Sequence, residues 1–355
     1  MKFGIFDYID DRGEPLAKTY EDRLVLLKAA EAAGFTGYHL SEHHATPLSM
    51  TPSPTVYLAA AARETKRIRL GTLLFLLPLY HPLRLLEELC MLDHLSGGRL
   101  DIGVGRGISP MEFDTYGVDF NSAGTDFDHV FNVLYQGFTR DRIDYRCERF
   151  TLKDVPVVIR PLQRPHPPFW YGLRGDHGPV FAARHGMHGV TLGPDEKCAR
   201  ILSEFHSNWA KLAAERTAFG SPVETPLYGA MRAVVVADTD AEAERIARPA
   251  YKRWFDSLAW LWVDRGTFPP IAISADYEQS KAAGTLVVGS PDTVGRSLVQ
   301  QAGRIGHDYL VMMMAFGTLT HAQEMHSLEL FRAEVMPKLA PLNTGAAPAG
   351  LAAVT

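Results

Sequence analysis

Cysteine is scarce in this sequence. Cys90, Cys147 and Cys198 are the only three in 355 residues, far apart and odd in number. That pattern builds neither a disulfide framework nor a zinc ribbon, and it suits a reducing compartment. Positive charge is not in excess either. The 36 Lys+Arg residues face 41 Asp+Glu, for a formal net charge of -5. This excludes a nucleic-acid binder that relies on a basic surface. Long apolar runs are missing too. The leucine-rich run Leu73-Leu74-Phe75-Leu76-Leu77 is broken by Pro78 and is far too short to cross a bilayer. The first residues, Met1-Lys2-Phe3-Gly4-Ile5-Phe6-Asp7, have no long apolar stretch and no small-residue cleavage site, so they do not read as a signal peptide. A soluble, cytoplasmic protein without membrane or nucleic-acid partners is expected. No internal repeat of fixed period stands out.

Apolar residues are plentiful. A hydrophobic fraction of 46% supports a large buried core. Short apolar or β-branched runs recur, with helical stretches between them. They fall at residues 3–6, 37–40, 68–75, 100–105, 168–172, 189–192, 230–236 and 309–314. Near-continuous apolar runs suit parallel strands covered on both faces. Ser53-Pro54, His81-Pro82, Gly193-Pro194 and Ser290-Pro291 each put proline where a helix begins. Ser53 and Ser290 are candidate caps. In the first helix Leu26, Ala30 and Ala33 share one face, and Gly34 marks its end.

Strand–helix alternation implies a parallel sheet, and this number of strands favours a closed (β/α)8 TIM barrel over an open doubly wound sheet. Residues 1–340 are read as one domain. Two insertions interrupt the rhythm. After the fourth strand, residues 141–167 hold a possible hairpin and a proline-rich stretch. After the seventh, residues 256–289 hold Trp260, Trp262, Phe268 and Pro269-Pro270, as a lid or substrate wall would. The Ala/Gly/Pro-rich end, within residues 341–355, is expected to be disordered.

Three segments carry chemistry, each directly after a strand, where a β/α barrel builds its active site. Glu42-His43-His44 offers two imidazoles and a carboxylate. Imidazole moves protons near neutral pH. Adjacent residues in an extended segment point opposite ways, so one ring is expected to face the pocket. The plainer alternative is a polar cluster capping a strand end. Zinc is a poor fit because no helix places two histidines at i, i+4, and no metal is expected.

Gly103-Val104-Gly105-Arg106-Gly107 offers close backbone approach and a guanidinium for phosphate or carboxylate. It is not a dinucleotide fingerprint: Ile108 replaces the third glycine and Pro110 interrupts the helix. A glycine turn with a surface arginine is the alternative. Arg174-Gly175-Asp176-His177-Gly178-Pro179 leads into a helix expected to open at Pro179, aiming free amides at an anion. An ordinary strand–helix turn is the competing reading.

Taken together, these segments resemble the bacterial luciferase-like family of flavin-dependent monooxygenases. Further similarity lies in Met1-Lys2-Phe3-Gly4 and in Leu70-Gly71-Thr72-Leu73-Leu74 through Pro78 and His81-Pro82. It continues in Leu92-Asp93-His94-Leu95-Ser96-Gly97-Gly98-Arg99-Leu100, in Gly289-Ser290-Pro291 and in Leu330-Phe331-Arg332-Ala333-Glu334-Val335-Met336-Pro337. The matches run in order along almost the whole chain.

The resemblance implies a barrel that binds FMN, or reduced FMNH2 as cosubstrate, at its C-terminal mouth. His43 matches the catalytic histidine, flanked by Glu42 and His44, and Glu112 matches an acidic residue near the site. Leu73-Leu74 matches a non-proline cis peptide set against the flavin ring. Arg106 and the loop of Arg174, Gly175, Asp176, His177 and Gly178 would hold the phosphate. Gly105 stands where luciferase has a reactive cysteine, which is expected to leave room above the ring. Gly124 stands where luciferase has a second arginine, so Arg174 and His177 are the candidates to replace that charge.

The activity implied is two-component monooxygenation. A separate flavin reductase supplies FMNH2, and O2 is activated as a flavin C4a-peroxide that oxygenates a small organic substrate. The alternatives are F420-dependent hydride transfer and a non-catalytic flavin-binding accessory subunit. Helices over 53–66 and 82–95 are apolar enough to pack a second copy, and the family dimerises there, so a homodimer is expected.

Overall fold

The computed structural model describes residues 1–271 and 273–342. Eight parallel strands close into a barrel: Lys2–Asp7, Gly37–Leu40, Arg69–Thr72, Leu100–Gly105, Phe169–Gly172, His188–Thr191, Tyr228–Val236 and Tyr309–Met313. Closure is explicit in the last strand. Tyr309 pairs with Lys2 of the first strand on one edge and with Gly229 of the seventh on the other. Their side chains are mostly buried because helices cover the outside and packed side chains fill the inside.

Three details differ from the reading of the sequence. The third run is two pieces, Arg69–Thr72 and Phe75–Leu76, separated at Leu73-Leu74, whose peptide bond is cis. Residues 256–289 are not one loop. The helix Asp240–Asp264 runs past Pro249 and carries Trp260 and Trp262 on its last turns. A ninth parallel strand, Leu286–Gly289, then extends the edge of the seventh. The insertion at 141–167 does contain an antiparallel hairpin, Arg142–Arg146 with Thr151–Pro156. Of the two candidate caps, Ser290 accepts a hydrogen bond from Thr293 N–H, whereas Ser53 caps nothing. The tail from residue 343 lies outside the described residues. Among those described, no helix is long and apolar enough to cross a membrane.

Large side chains plug the lower barrel. A Cβ at Gly4 or Gly37 would collide with the Tyr309 phenol, so both glycines make room for it. The Tyr309 hydroxyl lies 2.8 Å from His39 Nε2, and Trp170 packs against both rings. Burial drives the pKa of His39 and of nearby His188 down to about 3, so both imidazoles are neutral.

A buried ion cluster fixes the chain where it leaves the first strand. Arg23 contacts Glu324 at 2.6 Å, Asp7 at 3.4 Å and Asp10 at 3.8 Å. Asp7 also accepts hydrogen bonds from Ile9 N–H and the Tyr38 hydroxyl, and Asp10 accepts from Gly317 N–H. Tyr8 is held between these two anchored carboxylates.

Candidate active site

The second strand ends at Leu40, and the chain turns across the barrel mouth through Glu42, His43 and His44. The two imidazoles diverge. His43 Nδ1 lies 3.1 Å from Glu112 Oε1, while the backbone N–H of His44 donates to the same oxygen at 2.8 Å. His44 Nε2 turns instead to Glu42 Oε1 at 2.8 Å, and its Nδ1 meets the Tyr116 hydroxyl at 2.9 Å. The other Glu42 oxygen accepts the N–H of Leu76. Burial pushes the Glu42 carboxyl above its usual range, against the pull of its bond to His44.

Glu112 sits in the short helix Pro110–Thr115, so this helix is tied to the histidine segment at Glu112 and again at Tyr116. An ionised carboxylate accepts hydrogen bonds and does not donate them. Glu112 already accepts a backbone N–H, so its bond to His43 calls for a proton on Nδ1. That leaves Nε2 of His43 as the basic nitrogen. The ring is about one-fifth exposed, with 22% of its side-chain surface accessible, and stands 5.8 Å from the Tyr8 ring.

Leu74 lies across the glycines of the mouth. Cβ atoms added at Gly103, Gly105 or Gly172 would each approach its side chain. This corrects the expectation for Gly105. Its missing side chain does not open space above a ligand, because Leu74 already fills that space.

The phosphate candidates divide. Arg106 and Arg174 are both exposed, and neither has an ion-pair partner among the described residues. Arg174 is open to solvent yet crowded by protein, and this crowding lowers its pKa; the Tyr8 phenol opposes the shift and the charge of Arg106 adds to it, so both are its electrostatic neighbours. Asp176 turns away toward Arg200, 3.4 Å off, and the His177 ring stacks on Phe181 at 5.7 Å. The helix here begins at His177, two residues before the expected Pro179 start, with Gly175 in the left-handed region at φ 53. Gly124 lies in the helix Ala123–Thr139 with open space around it.

Several residues at this end escaped the sequence reading. The hydroxyls of Ser41, Ser109 and Thr191 are buried without a hydrogen-bond partner among the described residues. All three follow or end barrel strands at the mouth. Tyr8 and Trp254 form an aromatic wall, their rings 6.0 Å apart. No local motif marks any of them; Tyr8, Ser41, Ser109 and Thr191 are marked only by lying at or just past a strand end, and Trp254, inside the helix Asp240–Asp264, not even by that. Among the described residues no group of acidic, histidine and cysteine side chains could hold a metal.

Residues 1–309 match the family described as luciferase-like monooxygenase. An uncharacterised protein of Sinorhizobium fredii is 34% identical over 96% of this chain and 97% of its own length. The oxygenase component of the flavin-dependent trigonelline monooxygenase of Acinetobacter baylyi is 26% identical over 95% of each chain. Among solved structures, the monooxygenase RslO1 of Streptomyces bottropensis superposes with a TM-score of 0.82 at 26% identity, covering 95% of this chain and 99% of that one.

Proposed function

Because this chain belongs to the luciferase-like monooxygenase family, we propose that it is the oxygenase component of a two-component flavin monooxygenase. It would take reduced FMN from a separate reductase and insert one oxygen atom of O2 into a small organic substrate. One observation carries the reading. The His43–Glu112 pair lies beside the Tyr8 ring, and Tyr8 is in electrostatic reach of Arg174, which has no ion-pair partner among the described residues, while Leu74 packs over the strand-end glycines.

The residues present fit FMN. Two guanidiniums with no ion-pair partner among the described residues suit a phosphate dianion, and amides at the start of the helix His177–Arg184 add partial positive charge. The orphaned hydroxyls of Ser41, Ser109 and Thr191 suit a ligand rich in carbonyls and hydroxyls. When bound, reduced FMN supplies the two electrons that let O2 give one oxygen atom to the substrate and leave the other as water.

The chain's own residues orient, shield and move protons. Arg106 and Arg174 tether the phosphate. Leu74 supports the ring face. Glu112 fixes the tautomer and orientation of His43, whose Nε2 accepts or returns a proton at the reacting centre. Tyr8 and Trp254 exclude water from that centre.

Two partners complete the reading. One is the reductase. The other is a second copy of this chain, docked on the helices Pro54–Glu64 and Pro82–Ser96, which expose Val56, Met91 and Leu95.

Oxygen-18 labelling tests the activity. With an NADH-driven FMN reductase, 18O2 and a panel of ketones and aldehydes, one labelled oxygen is expected in the product. Reduction of a substrate with F420 and no oxygen uptake would replace this reading.

A further inference from the structure

We propose that Tyr8 is the specificity-determining residue of this mouth, donating its hydroxyl hydrogen to an uncharged oxygen acceptor, such as a ketone or aldehyde carbonyl, on an otherwise apolar substrate. This inference rests on the flavin reading and deepens it. Four observations carry it.

The first is an unused donor. Tyr8 is 7% exposed, and its hydroxyl makes no hydrogen bond to any described residue. The ring is buried, but the hydroxyl itself keeps accessible surface, so a ligand entering the mouth can take up this donor.

The second is position. The Tyr8 ring lies 5.8 Å from the His43 ring and feels the charge of Arg174. It therefore neighbours the proton-transfer group and lies within electrostatic reach of the proposed phosphate tether. Burial keeps the phenol protonated, and hence a donor, well above neutral pH.

The third is rigidity. Asp7 accepts the N–H of Ile9 at 2.9 Å, Asp10 accepts the N–H of Gly317 at 2.7 Å, and both carboxylates are fully buried around Arg23. The two residues between them, Tyr8 and Ile9, are thus anchored on both sides. A site that selects a substrate needs this preorganisation.

The fourth is the wall behind it. Trp254 is 2% exposed, packs against Tyr8 and has a donor, Nε1, with no partner among the described residues. The same cluster contains Phe6 and Phe316, with Leu73, Leu192 and Leu258 half-buried against it. In the flavin reading both free arginines are engaged by phosphate. This wall then offers apolar surface and neutral donors, and no cation for an anionic substrate. A polar group built to bond a substrate oxygen rejects analogues that lack it.

The test is equilibrium binding by calorimetry, with the protein both FMN-loaded and flavin-free. Two probe series of matched shape are used: decalone, decalin and decalin carboxylate, then undecanone, undecane and undecanoate. The ketone is expected to bind most tightly in at least one series. Tyr8→Phe should lower ketone affinity about tenfold and leave hydrocarbon and FMN affinity unchanged. Trp254→Phe is the second variant, with a smaller loss confined to the ketone. Tighter binding of the carboxylate, no binding of any probe, or an unchanged ketone affinity in Tyr8→Phe would overturn the proposal. So would an equal loss of FMN affinity, which would make Tyr8 a cofactor residue. If the wild type fails to bind FMN, the flavin reading falls, and the ketone-to-hydrocarbon ratio of the flavin-free protein still decides the role of Tyr8.

Discussion

Nδ1 of His43 lies 3.1 Å from Oε1 of Glu112, whose side chain is only 1% exposed. A buried carboxylate in this position fixes which imidazole nitrogen is basic. Glu112→Gln keeps an oxygen for the His44 N–H and removes the charge that orders the His43 tautomer. We expect turnover to fall at least tenfold, with FMN affinity unchanged. His43→Ala should cost about a hundredfold or more, the usual contribution of a positioned acid–base group. Steady-state kinetics beside a flavin titration separates these effects. Equal losses of flavin binding and turnover would move Glu112 from a positioning to a structural role.

Arg106 and Arg174 have no carboxylate partner among the described residues. Replacing either by alanine should weaken FMN binding by about ten- to a hundredfold, in the range of a charge-assisted bond. Riboflavin lacks the phosphate, so its affinity should not change. Fluorescence quenching measures both ligands. A parallel loss for riboflavin would place the arginine elsewhere on the flavin.

Gly105 is sterically committed to Leu74. Gly105→Ala pushes that side chain aside and should cost about 1–3 kcal/mol of stability, as overpacking does. Leu74→Ala in the same chain should recover part of the loss. A denaturant double-mutant cycle reads the coupling. Additive losses would show that the two positions do not meet.

His39 and His188 are buried and neutral, with pKa values of about 3. In the unfolded chain each titrates near the usual histidine value of about 6.5. Between those values the unfolded state binds more protons. Stability is therefore complete above about pH 6.5 and declines as the pH falls toward 3. His39→Gln should flatten this decline. Urea titrations at stepped pH give the slope. An equally steep decline in the variant would assign it to other groups.

Val56, Met91 and Leu95 are 71%, 54% and 43% exposed on adjacent helices. Single exposed apolar side chains are ordinary; these three, on two helices packed against each other, suit the proposed contact with a second copy. Light scattering should find a dimer at micromolar concentration. Val56→Asp with Met91→Glu should give a folded monomer. A monomeric wild type would remove the interface.

Much of the barrel was legible in the sequence because parallel strands buried on both faces are short continuous apolar runs. What escaped has local causes. The run at 68–75 reads as one strand, since a cis bond between two leucines leaves no trace in composition; the family resemblance alone pointed to it. Residues 256–289 read as one insertion, yet the helix Asp240–Asp264 runs into it and carries its first nine residues. At the site, Glu42, His43, His44 and Glu112 were named from motif and resemblance, and they do meet. Tyr8 and Trp254 were not named. Their proximity depends on the barrel bringing the first strand against a helix that follows the seventh. The fate of Gly105 depended likewise on Leu74, and that of Asp176 on Arg200.

The account turns on a flavin lying across this mouth, and a crystal structure of the chain grown with FMN tests that directly. We predict the phosphate within hydrogen-bond reach of Arg174, the ring over Leu74, and Nε2 of His43 facing the ring. A structure with FMN bound elsewhere, or with the mouth closed by its own side chains at saturating FMN, would contradict it.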